Sequence, residues 1–218
     1  MGPWGHGDWA DEKAKSTHNH IYFGDSIASF YQKEIEFKFF ARYLKDQGTE
    51  DMPEAYVFNT GTKKWEKHDV WPPKEAASLQ MRFEPNGKLV INKEVSAENA
   101  FEYISDPAKP VPYTSQTEGL TFTPRNFMSD DQREASMRPD VLTFETEVLG
   151  DEVTIAGEIL AKLKVAMSGT DADFIVKLID VYPDNHPNYE HNPKNIVMGG
   201  YQQLVSSEVF RGRFRNSF

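Results

Sequence analysis

Helical periodicity occupies one stretch of this chain, Ser26 to Leu44, and everything after Gly48 reads instead as short alternating segments punctuated by turns. That division admits few architectures. Within the stretch, Ile27, Phe30, Tyr31, Ile35, Phe39, Phe40 and Tyr43 recur at helical spacing, and Lys33, Glu36, Lys38 and Arg42 supply a wetter side. Asp25 or Ser26 is the expected N-cap, and Gly48 falls just past the end, where a left-handed residue closes a helix. A helix with so much aromatic surface needs a large partner, yet only a short loop region precedes it. Its natural partner is expected to lie outside this sequence.

Beyond a polar linker at Thr49-Glu50-Asp51-Met52-Pro53, Tyr56 and Phe58 alternate up to an Asn59-Thr60-Gly61-Thr62 turn, and Trp65 lies on the returning strand. Trp71-Pro72-Pro73 breaks it. Leu79, Met81 and Phe83 lead into Pro85-Asn86-Gly87, with Leu89 to Ile91 returning, and the prolines of residues 106–112 mark an extended crossing loop. Further on, Leu142 and Phe144 alternate with Thr143 and Glu145, and Leu163, Val165 and Met167 with Lys162, Lys164 and Ala166. Phe174 to Tyr182 is almost continuously apolar, as in a strand covered on both faces. Short strands without intervening helices predict a mainly β protein, a two-sheet sandwich such as a jelly roll.

The balance of charge narrows the partners. A net charge of −10 argues against nucleic acid and against anionic membranes, since both need a basic surface. No apolar run reaches bilayer-spanning length and no charged-then-apolar leader opens the chain. There is no cysteine, so disulfides, thiol catalysis and thiolate metal sites are excluded together, and cytoplasm, periplasm and secretion all stay open.

Chemistry is concentrated at the start, in Met1-Gly2-Pro3-Trp4-Gly5-His6-Gly7-Asp8-Trp9. A histidine serving as general base must sit on a short exposed turn, and glycines at 2, 5 and 7 allow the tight conformations such a turn requires. Trp4 and Trp9 can wall the imidazole from bulk water, which strengthens its coupling to partners. The competing reading is a Gly/Trp-rich surface loop with an idle histidine.

The quoted stretches, in order, resemble the family of alpha-amino acid ester hydrolases, cocaine esterases, glutaryl-7-aminocephalosporanic acid acylases and X-Pro dipeptidyl-peptidases. The resemblance is carried by Gly2-Pro3-Trp4-Gly5-His6, the helix ending Phe39-Phe40 to Leu44, Phe58-Asn59-Thr60-Gly61 with Trp65, and Tyr103-Ile104-Ser105-Asp106-Pro107 running on to Pro112. It continues through Asp131-Gln132-Arg133, Arg138-Pro139-Asp140-Val141-Leu142-Thr143-Phe144, Thr170-Asp171-Ala172-Asp173-Phe174, Val176 to Pro183, and Phe210-Arg211-Gly212-Arg213-Phe214-Arg215. The family's enzymes combine an α/β-hydrolase domain with a C-terminal jelly-roll (galactose-binding-like) β-sandwich. By that resemblance, residues 1–50 are the C-terminal remnant of the hydrolase domain, and residues 51–218 are the sandwich, stopping before its last strands. His6 then falls on the catalytic histidine, and in the hydrolase order of serine, acid, histidine the other two members precede residue 1. The implied activity is serine-dependent hydrolysis of ester or amide bonds in a small molecule, without cofactor or metal, and the implied state of these 218 residues alone is inactive.

Several rivals deserve a place beside this reading. Gly24-Asp25-Ser26-Ile27-Ala28 follows a strand-like Ile21-Tyr22-Phe23 as a nucleophile elbow would, but Ala28 replaces the second glycine and Ser26 follows the histidine, so a helix cap is the expectation. His18, His20 and Asp25 have alternate spacing compatible with a metal but no fixed further ligand, which reads as exposed histidines; His186 and His191 read as an exposed loop. Asp171, Asp173, Asp180 and Asp184 suit calcium or, more simply, solvated strand ends. Arg211, Arg213 and Arg215 share one strand face, where ion pairing is the simpler account than nucleic acid. Trp65, Trp71 and Tyr113 fit a core or a sugar site, so a non-catalytic carbohydrate- or protein-binding module is the alternative function, and the unpaired aromatic helix suits a homo-oligomer contact.

Overall fold

In a computed structural model of the chain, the described residues are all but 11–15, 25, 50, 94–98, 116–117, 119–124, 193 and 214–218. Asp25, Glu50, Phe214 and Arg215, named above, therefore lie outside the described set. The elements form a mainly β protein with one long helix near the start. A minimal hairpin of β1 (Thr17–His18) and β2 (Ile21–Tyr22) precedes α1 (Ile27–Phe30), which runs without a break through a π-helical stretch, Tyr31–Glu36, into α2 (Phe37–Lys45). The helix ends where Asp46 turns left-handed (φ 54°, ψ 30°), so Asp46 takes the closing role expected of Gly48. Ile27 and Ala28 are buried, but Phe37, Phe40, Tyr43 and Leu44 are exposed, with Leu44 at 75%. The aromatic face expected from the sequence is thus packed in its first turns and uncovered from Phe39 to Tyr43 among the described residues.

Two hairpins follow from local chemistry. Strands β3 (Ala55–Asn59) and β4 (Lys64–His68) pair antiparallel with Phe58 opposite Trp65. The turn is closed by the Asn59 side-chain oxygen, which accepts from the N–H groups of Gly61 at 3.0 Å and Thr62 at 3.1 Å. Strands β5 (Met81–Glu84) and β6 (Lys88–Ile91) pair with Phe83 opposite Leu89, around Asn86 (φ 61°) and Gly87 (φ 71°). Successive left-handed residues match the twist of the flanking strands, which is why Asn-Gly makes tight hairpins. A Cβ at Gly87 would also meet the Thr143 carbonyl at 3.2 Å. Gly87→Ala is therefore expected to lower stability by about 1–2 kcal/mol, measured by urea denaturation, with no change in the slope of the transition.

The longest ladder joins β7 (Asp173–Val181) and β8 (Gln202–Arg211). Its register shifts between Leu178 and Ile179, leaving Val205 as the extra residue of a bulge. Contrary to the expectation of a strand covered on both faces, Ile175 is 56% exposed and its cross-strand neighbour Val209 52%. Residues 142–145 and 162–167 also differ from their strand-like pattern. The first contributes only an isolated parallel bridge, Glu145 to Lys88, with Phe144 stacked on Phe83 at 4.3 Å. The second forms no strand among the described residues, and Leu163 and Val165 stay exposed. Alternation creates an apolar face, but a strand is completed only by a neighbouring edge that accepts its backbone bonds.

Candidate functional site

The loop bearing His6 is tied down along its length. Its first residue lies along β3: the Met1 amino group donates to the Tyr56 carbonyl at 2.6 Å, and Phe58 N–H donates to the Met1 carbonyl at 2.9 Å. Burial lowers the proton affinity of that amine. Gly2 lies flat beneath Trp4, where any Cβ would run into the indole. Trp4 in turn packs edge-on against Tyr31 (5.2 Å) and at a tilt against Trp65 (5.8 Å). The next turn is closed by Asp8, whose carboxylate accepts from Gly5 N–H at 3.2 Å while its own N–H donates to the Gly5 carbonyl. Gly7, between them, has φ +81°.

A 3-10 turn at Asp8–Ala10 continues the loop, and Gln32 fastens it: its amide donates to the Trp9 carbonyl at 2.5 Å. Gln32 belongs to the π-helical stretch, a local widening of the helix that recurs at functional sites. His6 itself is exposed, with the Trp9 ring edge-on at 6.0 Å. An exposed imidazole on a pinned loop has the posture a general base needs toward a group arriving from outside these residues.

Trp65 is the hub of the support. Besides Trp4 it meets Phe30 (5.8 Å), Tyr31 (6.4 Å), Tyr56 (5.7 Å) and Phe58 (5.4 Å), so one indole joins loop, helix and the β3–β4 hairpin. Burial, and after it the Glu36 charge, push the Tyr31 phenol upward. The sequence offers Trp65 as core or sugar platform; it is half-buried and packs on five other rings. Gln32 was missed, since a polar residue inside a helical run carries no mark of the loop it will hold.

Ser26 takes the expected N-cap position before Ile27, its carbonyl accepting from Phe30 N–H at 2.8 Å, but it does so in the left-handed region (φ 60°, ψ 24°) and its side chain makes no capping bond among the described residues. It lines a recess of about 300 Å³ with Phe23, Ile27, Phe30, Phe58, Lys63 and Trp65, and His6 is not part of that lining.

The remaining sequence candidates are dispersed. His20, expected at the surface, is fully buried against Tyr189 and Tyr201, whereas His186 stacks on Tyr182 at 4.5 Å and His191 lies 5.1 Å from the Tyr22 ring. Among the described residues no three histidines or carboxylates gather as metal ligands. Asp173 and Arg211 stand opposite each other on β7 and β8, while Trp71 packs against His68 at 5.3 Å and Tyr113 is 48% exposed.

Comparison with known proteins adds to this geometry. Residues 47–217 match the family described as the X-Pro dipeptidyl-peptidase C-terminal non-catalytic domain. The chain is 31% identical over 198 residues to the cocaine esterase of Rhodococcus sp. (strain MB1 Bresler), covering 84% of this chain and 33% of that protein. Its fold is similar to the crystal structure of an aminopeptidase from the marine sediment archaeon Thaumarchaeota archaeon, with a TM-score of 0.83 and 36% identity over 99% of this chain and 34% of the other. The chain thus spans about a third of the length of the relatives it matches.

Proposed function

From the premise that the chain belongs to the family of X-Pro dipeptidyl-peptidase C-terminal domains, we propose that it is the C-terminal part of a serine hydrolase acting on ester or amide bonds, and that His6 is its catalytic histidine. The observation that carries this reading is the exposed His6 on a loop held by Trp4, Asp8 and Gln32. In such an enzyme His6 takes the proton of a serine as it attacks the acyl carbon, then returns it to the departing alcohol or amine. Serine and acid come from the region of polypeptide beyond these 218 residues, and the substrate is a small-molecule ester or amide. Residues 1–50 are read as the end of an α/β-hydrolase domain and residues 51–218 as a jelly-roll sandwich. The exposed apolar pair Ile175 and Val209 supports that reading, because a second sheet would cover them. The uncovered face of α2 is a contact for the rest of the enzyme or for a second copy.

An assay of the 218-residue chain on a p-nitrophenyl ester tests the reading directly. No turnover above the buffer rate is expected. Turnover that vanishes in Ser26→Ala would instead make this chain a complete hydrolase with its nucleophile after its histidine.

A further inference from the structure

The turn of the β1–β2 hairpin reaches across the molecule and plugs into residues far along the chain. Asn19 is left-handed (φ 53°) and sends its side chain to two distant partners. Its amide nitrogen donates to Ser129 Oγ at 3.1 Å, and its oxygen accepts from the Lys194 ammonium. The neighbouring His20 ring, with no exposed surface, is edge-on to Tyr201 at 4.9 Å and stacked with Tyr189 at 6.3 Å. Tyr201 closes the group by donating to the Ser129 carbonyl at 2.5 Å.

These bonds dictate the protonation state of the ring. Because Lys194 occupies the Asn19 oxygen, the Asn19 N–H groups are the ones turned toward His20 Nδ1, 3.3 Å away. Nδ1 must therefore accept, and the ring must be neutral with its hydrogen on Nε2. Nε2 is buried beside the Gln203 side chain, whose oxygen is also buried, although neither atom reaches ordinary hydrogen-bond geometry. A proton added to Nδ1 would put two donors face to face in a dry site.

We propose that His20 and Asn19 form a proton-sensitive clasp, closed when the imidazole is neutral and opened by acid, that fastens the segment between the His6 loop and the helix to the β8 side of the protein. The charged and titratable groups around the ring come from every element packed on it. Lys194 and His18 oppose a proton on it, and Asp130 favours one, although that carboxylate also accepts from Thr114 Oγ1 at 2.8 Å and from Ser115. Around Tyr201, Asp131 is paired with Arg133 at 2.5 Å and the guanidinium lies 6.0 Å from the phenol ring; His186 touches Tyr189. Burial is the dominant influence and lowers the proton affinity of His20 below its ordinary 6.5. A histidine whose folded affinity is depressed leaves stability intact at high pH and removes it as pH falls below the unfolded value, so acid opens the clasp. This inference does not depend on the proposed hydrolase activity.

The test is an NMR pH titration of the 218-residue chain, following the His20 ring nitrogens, the His20–Tyr201 contact and amide protection in residues 16–23. The expected result is an Nε2–H ring at neutral pH, then joint loss of contact and protection as pH falls below the ordinary histidine range, while β3–β4 stays protected. Asn19→Asp replaces the opposing donor by a carboxylate at a left-handed position that aspartate tolerates, and is expected to move opening down in pH while the ring titrates about 1 pH unit higher without release. His20→Gln should abolish the acid step. A ring that protonates with its tyrosine contacts intact in the unmodified chain, a titration unmoved by Asn19→Asp, or β3–β4 melting at the same pH would each overturn the clasp.

Discussion

Trp65→Ala is expected to destabilise the chain by about 3 kcal/mol and lower its melting temperature by roughly 6–12 °C. The indole meets five other aromatic rings within 6.4 Å, and truncating it removes both buried apolar surface and the edge-to-face contacts with Tyr56 and Phe58. Collapse cannot refill the space, because Trp4, Phe30 and Phe58 each belong to a different element. The indole N–H is buried and has no hydrogen-bond partner among the described residues, so Trp65→Phe gives up packing volume but no described bond, and a loss of about 1 kcal/mol is expected. Denaturant unfolding with near-ultraviolet circular dichroism measures both variants. If Trp65→Ala costs under 1 kcal/mol, the cluster does not unite loop, helix and hairpin.

The second large effect concerns catalysis. On the proposal that His6 is the histidine of a triad, His6→Ala in the polypeptide extended to carry the serine and acid is expected to lower kcat on an ester substrate by about a million-fold, since members of a triad act as a unit. Stability should move by less than about 0.5 kcal/mol, because the ring is exposed and Trp4, Asp8 and Gln32 bind the loop on either side of it. Steady-state kinetics and a melting curve separate the two quantities. A rate loss under ten-fold would remove His6 from the chemistry, whereas a rate loss with a lowered melting temperature would make it a structural residue.

Elements that close over a few residues were legible in advance. Asn59-Thr60-Gly61-Thr62 and Asn86-Gly87 carry the instructions for their turns in their own side chains and backbone preferences, and the hairpins β3–β4 and β5–β6 appear where those turns predict them. The aromatic helix was equally plain, as was an exposed His6 between glycines. Ser26 takes the N-cap position as read, but the left-handed backbone that it adopts there, without a side-chain capping bond, left no mark in the sequence. Strands at 142–145 and 162–167 were misread: alternation describes a face, and pairing needs an edge.

What the amino-acid order determined by itself was therefore whatever lies within one turn, one hairpin or one helix, where neighbours in the chain are neighbours in space. The tertiary structure alone decided that Trp65 unites three elements, that Gln32 ties down the His6 loop and that His20 is buried against Tyr189 and Tyr201. Those contacts join residues far apart in the chain, and their geometry depends on how every intervening element packs, so no local pattern of side chains encodes them.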